Sequence, residues 1–186
     1  MYKHSSIKKY LDDLSAKLPV PGGGSAAALV AALGAALIGM VINFTLGKPK
    51  YKKYQIDLAK MLTTSERIKN RFLELVDLDV AAFKSKDINK ALNVPLEISR
   101  LCFDVIKLCP PLVRRGNKNL ISDVAVAAIL LEAGFSSALF NVRINLKYLK
   151  DKTRTKRINK ELNKKKNYLR KIRQDLEVKI DEIIRG

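Results

Sequence analysis

The stretch from Leu18 to Gly47 reads LPVPGGGSAAALVAALGAALIGMVINFTLG and contains no charged side chain. Its opening prolines and glycines cannot be helical, and Ser25 is suited to cap the helix that follows. That helix is predicted over about residues 25–46. Small residues recur along it every four positions, a spacing that lets a second backbone approach closely: Ala27, Ala31, Ala35 and Gly39. The stretch therefore predicts a buried central helix.

A membrane span is the alternative for this stretch, because a span needs roughly 20 apolar residues. Alanine inserts weakly into membranes compared with Leu, Ile or Phe, and polar Asn43 and Thr45 lie near the end. No second comparable stretch stands elsewhere in the sequence. An amphipathic segment precedes the stretch, whereas a secretory signal opens with a short basic segment. We therefore expect a core helix and no membrane.

Apolar periodicity predicts further helices around this one, over about residues 6–17, 51–85, 95–108, 119–150 and 153–184. Residues 124–131 are almost wholly apolar and are expected to be central. In the last helix a repeat near 3.5 residues predicts a coiled-coil-like seam: Ile158, Leu162, Leu169, Ile172, Leu176 and Ile183. No strand pattern is present. We predict an all-α bundle of about six helices, two of them long, forming one domain over residues 1–186.

The formal net charge is +18. Such a charge suits solvated helix faces, an anionic ligand or nucleic acid. Lysines are spread along the whole chain, which favours solvated faces first and an anionic ligand second. The few aromatic residues are not interleaved with the basic ones, so we do not expect nucleic acid as a partner.

The two cysteines and the single histidine limit which disulfides and metal sites the chain can form. Cys102 and Cys109 lie seven positions apart, which on a helix is about 10 Å at ~1.5 Å per residue and too far for a disulfide. We expect both to be reduced and buried, in a cytoplasmic protein. Neither forms a CxxC pair, and His4 stands alone near the N-terminus. We therefore expect no metal site.

A glycine run opens the central helix. Gly23 and Gly24, followed by Ser25, bring bare backbone N–H groups to a helix N-terminus, where anions bind well. No Gly-Lys-Ser/Thr follows, so the run is not a nucleotide P-loop. By itself the run is equally compatible with a flexible turn.

Two further segments place polar side chains beside apolar helix. Asp77 and Asp79 lie two apart, so they point to different sides, and the apolar residues after Asp79 indicate a partly desolvated carboxylate. Such a carboxylate has a raised pKa and can move protons near neutral pH. Later in the chain, Asn119, Ser122 and Asp123 precede the most apolar helix, and Asn141, Arg143 and Asn145 end it. Helix capping and amide bonds across a helix interface explain these residues equally well at this point.

Taken in order, these segments resemble the cyclodeaminase domain of the formiminotransferase-cyclodeaminase family, which includes stand-alone methenyltetrahydrofolate cyclohydrolases. The matching pieces span nearly the whole chain: Pro21-Gly22-Gly23-Gly24-Ser25, Asn43-Phe44-Thr45-Leu46-Gly47-Lys48 with Tyr51, Asp79 with Ala82-Phe83, Val94-Pro95-Leu96-Glu97, Gly116-Asn117, Asn119, Ser122-Asp123 and Asn141-Val142-Arg143-Ile144-Asn145-Leu146.

The resemblance implies an all-helical homodimer that binds folate in a cleft near the dimer interface. A tetrahydrofolate derivative is then the substrate, and no cofactor is implied. The expected reaction is hydrolysis of 5,10-methenyltetrahydrofolate or the related formiminotetrahydrofolate cyclodeamination. The cyclohydrolase reaction is favoured because the chain carries no formiminotransferase segment.

Carried over to this chain, the resemblance implies Asp79 and Asp123 as catalytic residues, with Asp79 the preferred acid/base. The implied substrate-binding residues are Gly23, Gly24, Ser25, Lys48, Asn119, Ser122, Asn141, Arg143 and Asn145. Among basic residues, Lys48, Arg114, Arg115 and Arg143 are candidates for the folate carboxylates.

Two departures from the family pattern matter: the first leaves an alternative open, and the second concerns packing only. The segment at residues 84–93 is shorter than in relatives, and Ala125 stands where glycine is usual. A degraded cleft would leave a basic helical protein that binds nucleic acid or another protein.

Overall fold

A computed structural model describes residues 1–186 and contains seven α-helices and no strand. The prediction of an all-α bundle is confirmed. One hydrophobic cluster draws side chains from all seven helices. The helices are α1 (Ile7–Ser15), α2 (Gly23–Asn43), α3 (Gln55–Ser85), α4 (Ile88–Val105), α5 (Cys109–Arg115), α6 (Ile121–Leu146) and α7 (Lys152–Arg185), joined in places by short 3₁₀ turns.

Helix α2 lies at the centre, between α3 and α6. Its small-residue stripe is buried, as predicted. The helix begins at Gly23 with Gly22 as its N-cap, so the expectation that the glycines are not helical and that Ser25 caps the helix is wrong. A Cβ added to Gly134 of α6 would come within 3.0 Å of the Ala31 side chain and 3.3 Å of the Ala27 carbonyl oxygen. Bare backbone on α6 therefore lets the two helices pack closely. They run antiparallel, because Gly134 meets Ala27 and Ala31 near one end while Asn117 meets Thr45 at the other.

Two helical segments are long and apolar enough to cross a membrane by length and composition alone: Gly23–Asn43 and Lys118–Leu146. The second corrects the expectation that only one such stretch exists. In the fold, 61% of the apolar window in the first segment and 44% of that in the second are buried. A core helix of a soluble protein has the same properties, so neither segment decides the question.

Helix α4 begins seven residues earlier than predicted and contains Pro95 in its interior. Proline lacks an N–H group and disturbs the preceding turn, so the sequence predicts that the helix starts at Pro95. Instead, the side chain of Asp87 caps the helix by accepting hydrogen bonds from the N–H groups of Asn89 and Lys90. The two prolines at 110 and 111 open the short helix α5, which the sequence did not predict.

Helix α7 packs its apolar seam against α6. Five of the six predicted seam residues are buried, but Ile183 is 40% exposed and Ile180 is buried in its place. Arg173 of this helix lies 3.8 Å from Glu132 of α6. Both cysteines are free and buried, as expected, and burial raises the pKa of the Cys109 thiol to about 12.

Candidate active site

A cavity of about 290 Å³ opens where the N-terminus of α2 meets α3, α4 and the C-terminal part of α6. It brings together five residues that the sequence had singled out from three distant segments: Gly23, Gly24, Asp79, Asn141 and Asn145. Side chains that the sequence analysis did not assign to a site complete the walls, among them Phe83, Ala91 and Ile144.

Asp79 is the ionisable residue in the cavity wall. Its Oδ2 accepts a hydrogen bond of 2.9 Å from the backbone N–H of Ser25, in the first turn of α2. Its Oδ1 lies where a side chain at residue 24 would be, since a Cβ built on Gly24 would come within 2.1 Å of it. Gly24 therefore makes room for the carboxylate of α3, whereas a Cβ at Gly22 would meet no atom within 4 Å and one at Gly23 would come no closer than 3.6 Å to Asn141.

Burial raises the pKa of Asp79 above its ordinary value, and the Ser25 N–H bond opposes part of that rise. The structure shows no basic side chain in hydrogen-bond contact with this carboxylate. A half-buried carboxylate without a cationic partner is a better base than an exposed one. The arrangement can therefore take a proton from a water molecule or return one to a leaving nitrogen.

Tyr10 of α1 contacts Ser25, the residue whose backbone N–H holds Asp79, and the sequence analysis did not connect it with the site. It is only 4% exposed, and its hydroxyl donates a hydrogen bond of 3.1 Å to the buried Oγ of Ser25. Its ring meets that of Tyr2 edge-on at 5.3 Å between centroids. The periodicity of α1 marks Tyr10 as a core residue, but no sequence signal indicates that it reaches Ser25.

The two asparagines near the end of α6 have different contacts. Asn141 donates its amide to the Ser137 carbonyl at 3.1 Å, one turn back on its own helix. Asn145 donates its amide to the Ala91 carbonyl of α4 at 2.6 Å. That carbonyl lies four residues before Pro95, which has no N–H to offer it. Asn145 therefore satisfies the backbone acceptor that the interior proline leaves free.

The remaining family-like segments meet at the opposite end of α2. There the N–H of Asn117 donates to Thr45 Oγ1 at 2.9 Å, and the N–H of Lys118 donates to the Tyr51 hydroxyl at 3.3 Å. The exposed side chains of Lys48, Asn119 and Ser122 and the half-buried side chain of Asp123 belong to the same end.

The structure thus separates candidates that the sequence analysis had assigned to one site. Asp123 and Asn141 are 18 positions apart on α6, roughly 27 Å at 1.5 Å per residue. Within one chain Asp123, Lys48, Asn119 and Ser122 cannot share the cavity of Asp79. Arg143 also lies outside the cavity lining, being exposed and donating to Asn163 of α7 at 3.4 Å. Ser25, which does not line the cavity, acts through its backbone N–H.

No group of three or more His, Cys, Asp or Glu side chains is placed to hold a metal ion. The short segment at residues 84–93 is part of the structure around the cavity. It forms the end of α3 and the start of α4, and Ala91 within it supplies part of the cavity wall.

Sequence and structure comparisons agree with this geometry. The formiminotransferase-cyclodeaminase family profile matches residues 6–86 and 85–164. A methenyltetrahydrofolate cyclohydrolase of Methylorubrum extorquens is 37% identical over 87% of this chain and 89% of its own length. The formimidoyltransferase-cyclodeaminase of Rattus norvegicus is 30% identical over 79% of this chain. The crystal structure of a formiminotetrahydrofolate cyclodeaminase from Thermotoga maritima superposes with a TM-score of 0.93 at 28% identity, over 99% of this chain and all of that one.

The relatives differ in length. The alignment covers only 31% of the rat protein, so this chain spans about a third of it. It spans nearly all of the bacterial cyclohydrolase and of the Thermotoga structure.

Proposed function

The chain belongs to the formiminotransferase-cyclodeaminase family, and from this premise we propose that it hydrolyses 5,10-methenyltetrahydrofolate to 10-formyltetrahydrofolate. The observation that supports this proposal is the Asp79 carboxylate at the wall of a cavity. It is half-buried, its pKa is raised, and it accepts a hydrogen bond from the Ser25 N–H. The substrate is a cation whose central carbon bridges two nitrogens, so an ionised carboxylate also favours its binding.

In the first step water adds to the cation, and Asp79 acts as the base. A water molecule attacks the bridging carbon while the ionised carboxylate takes one of its protons. The product is a neutral hydroxyl adduct, and Asp79 holds the proton. A raised pKa assists this step because it makes the carboxylate the stronger base.

Ring opening returns the site to its starting state. The bond between the bridging carbon and N5 breaks, and N5 takes the proton from Asp79. The adduct hydroxyl loses its proton to solvent and becomes the formyl oxygen. The sum is one water consumed and one proton released. Because the chemistry is proton transfer and addition of water, folate is the substrate and the proposal requires no cofactor.

Cyclodeamination is the second candidate reaction, in which N10 attacks a formimino carbon and ammonia leaves. It is supported by the TM-score of 0.93 to a structure named as a formiminotetrahydrofolate cyclodeaminase. The cyclohydrolase is preferred because the relative of that name shares 37% identity over 87% of the chain, compared with 30% for the rat bifunctional protein.

A homodimer is part of the proposal, and its support is an apolar surface along α2 and α6. Large apolar side chains on these two helices lie exposed on the surface, which is unusual for a soluble monomer: Leu33, Phe44, Val126, Ile129, Phe140 and Ile144. A two-fold axis across this surface would place the Asp123 end of one α6 beside the Asp79 cavity of the partner. The two separated groups of candidate residues would then form one composite site.

The proposal places the enzyme in the cytoplasm and off the membrane. The two free cysteines suit a reducing compartment. The alternative of a protein that binds nucleic acid or another protein is weakened, because Ala91 of the short segment at residues 84–93 lines the Asp79 cavity.

Two substrates distinguish the reactions. A cyclohydrolase consumes added 5,10-methenyltetrahydrofolate faster than buffer does, and its absorbance falls. A cyclodeaminase given 5-formiminotetrahydrofolate releases ammonia, and methenyl absorbance rises. If neither signal exceeds the uncatalysed rate and no folate binds, the proposed function is wrong.

A further inference from the structure

A second cavity of about 380 Å³ adjoins the Asp79 cavity, and the two share Pro19, Phe83 and Ala91 in their walls. We propose that this extension binds the p-aminobenzoylglutamate part of the folate, with the aromatic ring on Phe83 and the glutamate carboxylates at Lys84 and Lys86. The inference rests on the proposed function and adds to it which end of the substrate lies where.

Volume is the first reason to treat the two cavities as one site. Pockets for small molecules usually measure about 300–1,000 Å³. The Asp79 cavity alone, at 290 Å³, is at the lower limit, whereas the two adjoining cavities taken together fall well within the range. A folate with its pterin at Asp79 needs space for the rest of the molecule, and the adjoining cavity offers it.

Phe83 supports the placement of the ring. It lies four residues after Asp79 on α3, so the two side chains are neighbours on one helix face. Its side chain is 58% exposed although it stands at the junction of the two cavities. An exposed phenyl group at this point can stack on an aromatic ring of a ligand.

The two lysines support the placement of the carboxylates. Lys84 is in the last turn of α3, and Lys86 follows it in a left-handed turn with φ of 56°. Neither ammonium group has a salt-bridge partner within the chain. The extension contains one carboxylate, that of Asp87, and its Oδ1 accepts N–H bonds from the start of α4. The extension is therefore net basic.

The order of chemical groups along the site matches the order in the substrate. Asp79 faces the cationic carbon, Phe83 the adjoining aromatic ring, and Lys84 and Lys86 the carboxylates beyond it. Within one chain, the basic residues that the sequence had suggested for this task lie outside the extension. Lys48 lies at the far end of α2, and Arg115 lies 3.0 Å from Asp57.

The test compares methenyltetrahydrofolates that carry no glutamate, one glutamate and three γ-linked glutamates. The variant is the double exchange Lys84→Gln with Lys86→Asn, since asparagine tolerates left-handed backbone. We expect its KM to rise roughly two- to twentyfold for the glutamate-bearing substrates, the range for two exposed charge pairs, with kcat unchanged. KM for the substrate without glutamate should not move. Lys90→Gln, an exposed lysine outside both cavities, is the matched control.

A third variant isolates the ring. Phe83→Leu keeps an apolar side chain and should raise KM for all three substrates alike. Wild-type turnover with a KM independent of glutamate number, unchanged in the double variant, would overturn the inference and leave the proposed function standing. Absence of turnover and of folate binding in the wild type would overturn both. Thermal unfolding of each variant shows whether it is folded.

Discussion

The Asp79 carboxylate occupies the space that a side chain at Gly24 would fill, since a Cβ there would come within 2.1 Å of Asp79 Oδ1. The absence of a side chain at Gly24 therefore allows the Asp79 carboxylate of α3 to reach the N–H of Ser25.

Gly24→Ala should displace the Asp79 carboxylate and lower kcat by at least about 100-fold, the lower range for loss of a general base. The control is Gly39→Ala on the same helix, where the nearest atoms are 3.8 Å from the added Cβ. That variant should keep its activity and gain helix propensity, worth up to about 1 kcal/mol. Equal activity in the two variants would contradict the arrangement.

The pH dependence should follow Asp79. The base must be ionised, so the wild-type rate should fall as pH drops through the raised pKa of Asp79, above the range of an exposed aspartate. Asp79→Asn should abolish this acid limb. A wild-type profile that stays flat down to the ordinary aspartate range would argue against Asp79 as the base.

The free energy of unfolding should respond to pH in the direction opposite to the rate. The folded state holds the Asp79 proton more tightly than the unfolded chain, so the ionised carboxylate lowers the free energy of unfolding at pH above its folded pKa. Asp79→Asn should therefore melt at or above the wild-type temperature at neutral pH, and the gap should close as pH falls below the ordinary aspartate pKa. A gap that widens in acid would reverse the assigned sign.

The Asn145 amide and Pro95 should be energetically coupled through the Ala91 carbonyl. Asn145→Ala leaves that acceptor unpaired and should cost about 1–3 kcal/mol. In a Pro95→Ala background the new N–H can bond the same carbonyl, so the cost of Asn145→Ala should shrink. Urea unfolding of the four proteins gives the coupling free energy, and strict additivity would show that the contact does not serve this purpose.

Subunit mixing tests the composite site. If Asp79 and Asp123 from different chains act together, Asp79→Asn and Asp123→Asn are each inactive as homodimers. After the two are unfolded and refolded together, half the dimers would be mixed, each with one intact site, restoring about a quarter of wild-type activity. No recovery in dimers shown to be mixed would restrict catalysis to residues of one chain.

Much of this architecture can be predicted from the sequence. The spacing of Ala27 and Ala31 is set by close helix packing, and the apolar residues after Asp79 indicate its desolvation. Both features arise from residues that are neighbours in sequence or one helical turn apart, so they can be recognised without a structure.

Other features depend on contacts between distant segments. The sequence predicts a helix start at Pro95 because the missing N–H is a local feature, whereas Asn145, which compensates for it, is 50 residues away. The sequence assigns Asp123 and Asp79 to one site because a family resemblance gives no distance between the matching residues. The antiparallel packing of α2 and α6 places them at opposite ends.

The most direct test of the central claim is the decay of 5,10-methenyltetrahydrofolate absorbance with purified wild-type protein and with Asp79→Asn, each measured against buffer. The claim predicts rapid decay with the wild type and, with a folded Asp79→Asn protein that still binds folate, a rate at least about 100-fold lower. Decay at the wild-type rate in the variant would remove Asp79 from the mechanism.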